Sequence, residues 1–351
     1  MLFLKPVIAT LHIKHCILYP CHKHFWMKGH DMTDQWTRRK FCWAMGALGA
    51  GVALRAAAPE NEPIPFKLGI INDEISEDLE EALDFIASYS LSYVELRTIG
   101  GKNIMSLSQS ELESAKKIID KHNFHVSDLA SPIYKWNLPE MPKLPSEKHD
   151  AYNAHFTEQD AEDLLKKCFE MARFFGTEKV RIFSYWRVDD PDKAYPFVLE
   201  RLKKTAALAE QNKILLVLEN EQTCNVATGK ELGRMLRDIN SPWLRGNWDP
   251  GNAVELGEVP YPDGYNHVRG LFRHMHIKDA VRDPKTGRAH WKPVGGGVVD
   301  FHGQFQALIK DGYHDTMSLE THYRRPDGNK VESTRESLEG LLKVIKAEVT
   351  S

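Results

Sequence analysis

Four residues at comparable places carry the clearest chemical signal in the chain. Glu219 follows the apolar run Ile214–Leu218, and Asp249 follows Leu244–Trp248. His276 stands near the end of Phe272–Ile277, and Glu320 follows Met317–Leu319. Three carboxylates and one imidazole make a hard, oxygen-rich donor set with a single nitrogen. Such a set suits one divalent cation, Mn²⁺ or Mg²⁺ first, with Zn²⁺ or Co²⁺ also accommodated. Each residue alone has a plainer reading. Glu219 could be solvated or cap a helix, and Asp249 before Pro250-Gly251-Asn252 could build a turn. His276 could be a satisfied core histidine, and Glu320 could pair with an arginine. The metal reading rests on the conjunction, because four consecutive apolar runs end alike.

The elements that would bring these residues together alternate regularly. Strands are expected at Phe66–Ile71, Tyr93–Leu96, His125–Leu129, Val180–Phe183, Ile214–Leu218, Leu244–Trp248, Phe272–Ile277 and Met317–Leu319. Helical patterns lie between them, at Glu77–Tyr89, Ser108–Lys121, Glu158–Phe175, Pro191–Gln211, Gly229–Ile239, Phe301–Asp311 and Val331–Val349. Ser108 with Glu111 fits a capping box at the start of one of these. Eight strands alternating with helices predict an α/β fold, a parallel (β/α)8 TIM barrel with its ligands on the rim at the strand C-termini. An open doubly wound sheet would need a glycine-rich phosphate turn after an early strand, and Gly100-Gly101 does not supply it. Two long connections, around 132–157 and 280–300, are expected to carry lids and substrate contacts.

These segments resemble the xylose isomerase-like TIM barrel superfamily, the sugar phosphate isomerase/epimerase group. The resemblance is carried by Leu218-Glu219-Asn220, Asp249-Pro250-Gly251-Asn252, His276-Ile277-Lys278-Asp279 and Leu319-Glu320. Val294-Gly295-Gly296-Gly297-Val298-Val299-Asp300-Phe301 and Gly312-Tyr313 add to it. Many relatives have a histidine after Glu-Asn, where this chain has Glu221. The resemblance implies that Glu219 and Glu320 double as proton acceptor and donor on opposite faces of a sugar, the route to epimerisation or isomerisation. The metal would chelate a carbonyl and an adjacent hydroxyl and favour the enediolate, and Lys278 would stabilise the developing oxyanion. Glu221, His322, Arg187, Trp136 and Trp186 are the expected substrate contacts, with His274 able to serve beside them. A leaving group β to the carbanion would turn the same site into a lyase or dehydratase. A non-catalytic sugar-binding barrel is the alternative from another class.

The first 58 residues have another character. Thr37-Arg38-Arg39-Lys40-Phe41, the apolar stretch Cys42 to Leu54 and Ala56-Ala57-Ala58-Pro59 follow the order of a twin-arginine export signal. Residues 32–58 are therefore expected to be a signal peptide, and 1–31 a mis-assigned start before Met32. Residues 59–351 would form one barrel domain, periplasmic or secreted. The chain carries a net charge of −3 and its first 58 residues +6, which leaves −9 for the remainder. An acidic barrel is a poor partner for phosphate backbones, so no nucleic acid is expected. No membrane contact is expected after cleavage, and a homo-oligomer is compatible with the sequence. Export also argues for a non-phosphorylated sugar, keto-sugar or polyol. Cys168 and Cys224 would remain in the mature chain, and the sequence does not say whether they pair.

Overall fold

The computed structural model of the chain describes residues 66–142 and 154–349. Eight parallel strands close into a barrel: β1 Lys67–Ile71, β2 Tyr93–Leu96, β3 His125–Leu129, β4 Lys179–Ile182, β5 Leu215–Glu219, β6 Leu244–Trp248, β7 Phe272–Ile277 and β8 Thr316–Leu319. Each strand pairs with its sequence neighbours, and β1 pairs with β8 to complete the ring. The (β/α)8 expectation is met. The expected signal at 32–58, the preceding 1–31 and part of the 132–157 connection lie outside the described residues. Among the described residues no helix is long and apolar enough to cross a membrane.

Local chemistry explains the helix boundaries. In α1 (Leu79–Ser88) the Asp78 side chain accepts from the N–H groups of Glu80 and Glu81. α2 (Gln109–Lys121) opens with the expected capping box, Ser108 and Glu111 satisfying each other's backbone N–H. α3 (Ala161–Phe175) ends at Gly176, whose φ of 74° only glycine adopts without cost. α4 (Pro191–Asn212) starts on proline, where the missing N–H costs nothing. α5 (Gly229–Ile239) has a second capping box, from Thr228 and Glu231. After β6 come the short α6 (Pro250–Glu255) and two helical turns, Pro260–Gly264 and Tyr265–Val268; α7 (Phe301–Lys310) follows β7 and α8 (Lys330–Val349) follows β8.

The apolar side chains of the strands face the helices and form the main core, among them Ile70, Val94, Leu96, Ile182, Leu216, Leu218, Met275 and Leu319. The barrel lumen, by contrast, is polar. Contacts between strands that are not neighbours establish this: His274 on β7 reaches Glu95 on β2 at 3.0 Å. Lys179 on β4 reaches Thr316 on β8 at 3.0 Å, and Ser127 on β3 meets Ser318 on β8 at 3.3 Å. Buried polar groups need partners, and these find them across the barrel. Cys168 and Cys224 are both buried and unpaired.

The 280–300 connection is an antiparallel hairpin, Asp279–Arg282 against Ala289–Lys292, followed by a glycine-rich loop. The Asp279 carboxylate organises that loop, accepting from the N–H groups of Gly295 and Gly297 at 2.9 Å and Val299 at 3.2 Å. A Cβ at Gly297 would collide with Asp279 Oδ1, which accounts for the glycine there.

Candidate metal centre

Two asparagines tie the ends of β5 and β6 together. The Asn220 side chain accepts from the Asp249 N–H at 2.8 Å and donates to its carbonyl at 2.7 Å. Asn252 Nδ2 donates to the Asn220 carbonyl at 2.9 Å and to Glu219 Oε1 at 3.1 Å. Asp249 is the N-cap of α6, its Oδ1 accepting from the Asn252 N–H at 3.0 Å. One Asp249 oxygen thus builds the turn, and the other, Oδ2, faces the neighbouring carboxylates and His276.

Glu219, Asp249, His276 and Glu320 converge, all four buried, with one donor atom from each lying within 4.8 Å of the others. His276 Nδ1 is the hub: 3.3 Å from Glu219 Oε1, 3.3 Å from Glu320 Oε2 and 3.9 Å from Asp249 Oδ2. On its far side Nε2 lies 3.0 Å from Glu95 Oε1. Once the ring is neutral, with its remaining proton on Nε2 and directed at Glu95, Nδ1 presents a lone pair where the three carboxylates meet. A histidine whose second nitrogen is held by a carboxylate is the arrangement of a metal ligand. Nδ1 is buried without a hydrogen-bond partner, a debt that a cation at this point would settle. The donor set thus fits a divalent cation.

Electrostatics bind the same groups to one another. Burial disfavours a charged His276, but Glu95, Glu219 and Glu320 outweigh it and hold its pKa well above the ordinary value. Without a cation the ring therefore keeps both protons at pH 7, while a ligating imidazole must be neutral. Loading the protein with Mn²⁺ at pH 7 is expected to release about one proton per chain, with affinity falling as the pH is lowered. Calorimetry in buffers of different ionisation enthalpy measures that proton. An enthalpy independent of buffer would contradict it.

Around the tetrad stands a ring of cations. Lys278 Nζ lies 2.6 Å from Glu320 Oε2 and 3.0 Å from Asp249 Oδ2. Arg97 Nη1 meets Glu320 Oε1 at 2.7 Å, and the same guanidinium holds Glu74 at 2.6 Å and Asp73 at 2.9 Å. Arg181 Nη1 meets Glu219 Oε2 at 3.2 Å. Burial works against ionising Glu219, yet His276 and Arg181 hold its pKa down at about 2. Glu320 is likewise held well below the carboxylate range, burial being overcome by Lys278, His322 and His276. Asp249 goes the other way: burial wins over Lys278, and its pKa rises to about 6. Glu219 and Glu320 are thus ionised at neutral pH.

Beneath this layer His274 donates one ring nitrogen's proton to Glu95, at 3.0 Å, and accepts from the Thr316 hydroxyl at 2.7 Å. Burial lowers its pKa from 6.5 to about 4, against the pull of Glu95. The unfolded chain therefore takes up this proton first. The resulting stability is complete above about pH 6.5 and is lost as the pH falls toward 4, a contribution of about 3 kcal/mol. Denaturant titrations at pH 7 and 5 test this. His274→Asn is expected to flatten the decline seen in the unmodified chain; an unchanged slope would contradict the assignment.

Not every expected substrate contact faces the tetrad. Trp136 turns to the helix layer: its indole N–H donates to Glu158 at 3.1 Å, and its ring packs edge-on against Tyr134 and Tyr185. Arg187 grips Glu231 at 2.9 Å and the Cys224 and Asn225 carbonyls, securing the start of α5. A buried indole N–H and a guanidinium need acceptors, and these supply them. Trp186 packs with Phe183 and Cys224. Glu221 pairs with Lys135 at 3.2 Å, and the Lys135 ammonium lies 4.4 Å from the Phe183 ring centroid. Phe183 also covers Arg181, 4.5 Å from its centroid, so this group reaches Glu219 through Arg181. His322 Nε2 lies 3.2 Å from Glu320 Oε1.

The sequence reading missed Glu74, Glu95, Arg97, Lys135, Arg181 and Trp291. Glu95 and Arg181 did leave a signal, a charge in the middle of the short apolar strands β2 and β4. Arg97 stands one residue beyond β2.

The profile of the family described as xylose isomerase-like TIM barrel matches residues 83–344. No curated protein matches the chain. Among solved structures, a xylose isomerase-like TIM barrel protein from Mycobacterium smegmatis in complex with magnesium is 19% identical with a TM-score of 0.57, over 77% of this chain and 89% of its own. The IOLI protein with a bound zinc atom is 16% identical with a TM-score of 0.63, over 80% and 98%. The 3-keto-D-glucoside 4-epimerase YcjR from E. coli, in its apo form, is 17% identical with a TM-score of 0.59, over 79% and 99%. The closed parallel barrel and a profile match across most of its length lead to one assignment: this chain belongs to the xylose isomerase-like TIM barrel family.

Proposed function

We propose that the chain is a divalent-metal-dependent isomerase or epimerase acting on a non-phosphorylated sugar or keto-sugar outside the cytoplasm. One observation carries the reading: three buried carboxylates meet around an unsatisfied His276 Nδ1, and two of them, Glu219 and Glu320, are ionised and approach from β5 and β8. The magnesium and zinc in two similar structures and the keto-glucoside activity of a third support it. The twin-arginine-like segment supports export, and with it a substrate lacking phosphate.

A divalent cation bound by the tetrad would supply a Lewis acid for a substrate carbonyl and its neighbouring hydroxyl. The protein's own groups do the rest. One glutamate accepts the proton from the carbon α to the carbonyl. Lys278, whose charge is fixed by Asp249 and Glu320, offers N–H donors to the oxyanion as it forms. The other glutamate begins ionised, so it must take a proton from solvent before delivering one to the opposite face. The first then releases its proton to solvent. The returning hydrogen therefore originates in water.

Incubating metal-loaded protein in D₂O with free ketoses and 3-keto-glycosides tests this reading. Deuterium at the α carbon with the skeleton retained is the expected result. Release of water or aglycone would move the assignment to a lyase. Absence of exchange from every sugar, or exchange that survives thorough chelation, would contradict it.

A further inference from the structure

Trp291 stands on the second strand of the hairpin after β7, opposite Ala280 in the register. Its indole ring is half-buried and its centroid lies 5.1 Å from Lys278 Nζ. Lys278 is itself bonded to two of the three tetrad carboxylates, so the ring reaches within one side chain of the candidate metal centre. The His322 ring meets the indole at 73°, centroids 5.5 Å apart. His322 does this from a left-handed backbone, φ 43°, a conformation costly for a residue other than glycine and stabilised here by its N–H donating to Glu74 at 3.3 Å. Asp279, through three N–H groups of the following glycine-rich loop, fixes the base of the hairpin. The indole is thus a positioned surface, held from both ends.

On the other side of the barrel mouth is a second aromatic group, Phe183 and Trp186 with Lys135 and Glu221. β4 stands three places from β7 in the barrel order, with the metal-bearing ends of β5 and β6 between them. The two groups therefore flank the tetrad. A small open-chain ketose has enough oxygens for the centre but no flat face for an aromatic wall. A pyranose ring has both: hydroxyls at its edge and a face of C–H bonds that an indole covers.

We propose that Trp291 is the specificity-determining wall of this site and that it selects a sugar closed in a ring, such as a keto-glycoside, over an open-chain ketose. This rests on the sugar-directed reading above and narrows its substrate class. Nothing in the reaction itself needs Trp291, which touches no proton in transfer.

The test compares the unmodified chain, Trp291→Ala and Trp291→Phe, each loaded with Mn²⁺. Solvent-deuterium exchange is measured on a methyl 3-keto-glucopyranoside and on dihydroxyacetone. The ratio of their kcat/KM values is expected to fall at least about tenfold in Trp291→Ala, the size of effect a lost apolar contact produces, and to recover largely in Trp291→Phe. A ratio that moves less than twofold overturns the proposal, as does an equal loss on both sugars. Calorimetric binding of the glycoside to the same proteins separates the two claims. If the unmodified chain exchanges neither sugar, the isomerase reading falls while binding still decides on Trp291. Affinity at least tenfold weaker in Trp291→Ala then sustains the wall. Equal affinities, or no binding to the unmodified chain, overturn it.

Discussion

Replacing Glu320 with glutamine is expected to cut solvent-proton exchange on the substrate by about 10³-fold or more, even at saturating metal. The substitution preserves shape and leaves an oxygen donor, but removes the basic group. Glu320 has two distinct jobs. Its Oε1 receives Arg97 and His322, and its Oε2 receives Lys278 and faces His276. Glutamine loses the charge that both arrangements need, so weaker metal binding is expected as well. Measuring turnover over a range of Mn²⁺ concentrations separates the effects: a pure ligand defect is rescued by excess metal, and a lost base is not. A 10³-fold fall corresponds to about 4 kcal/mol in the barrier. Restoration to within tenfold of the parent rate at high metal would remove Glu320 from the proton-transfer role and leave it a ligand. The same comparison on Glu219→Gln asks whether both carboxylates act. Exchange lost in both variants agrees with a two-base route, whereas exchange lost in only one would point to a single base serving one face.

The second large effect concerns stability. Arg97 is buried and joins Asp73, Glu74 and Glu320, three carboxylates from the ends of β1 and β8. Burial alone would raise the pKa of Glu74, but Arg97, His322 and Arg324 bring it down to about 2. Arg97→Met removes the central cation and leaves its partners buried with insufficient compensation. Breaking a buried pair in this way costs about 3–5 kcal/mol. A Tm lower by roughly 10 °C follows for a domain of this size. Arg97→Lys keeps the charge but not the fork that spans three partners, and is expected to recover only part of the loss. A change below about 1 kcal/mol in Arg97→Met would show that the network relaxes and that Arg97 does not hold the β1 and β8 ends together.

The barrel was legible because its strands are short apolar runs set between amphipathic helices, a pattern that survives in one sequence. The four candidate ligands were legible for the same reason: each interrupts the pattern at its C-terminal end. The polar lumen was not. Glu95, Arg181 and His274 lie inside strands, and a charge within an apolar run acquires meaning only when the barrel closes and brings β2 against β7. Arg97 was hidden because its partners stand at the ends of β1 and β8, more than two hundred residues apart in the chain. Trp136 and Arg187 were read by adjacency. They follow β3 and β4 as rim residues do, but hydrogen bonds to Glu158 and Glu231 turn them toward the helix layer. Trp291 lay in a stretch whose hairpin depends on Asp279 holding glycine N–H groups many residues downstream. The identity of Asp279 was visible, but its role in organising the loop was not.

Metal stoichiometry addresses the central claim most directly. The purified protein, stripped and reloaded with Mn²⁺, is measured by elemental analysis and by titration, alongside Asp249→Ala and His276→Ala. One ion per chain is expected in the unmodified protein and at least a tenfold loss of affinity in each variant, with the fold retained by circular dichroism. Failure of the unmodified chain to hold a divalent ion, or equal affinity in folded Asp249→Ala and His276→Ala, would contradict it.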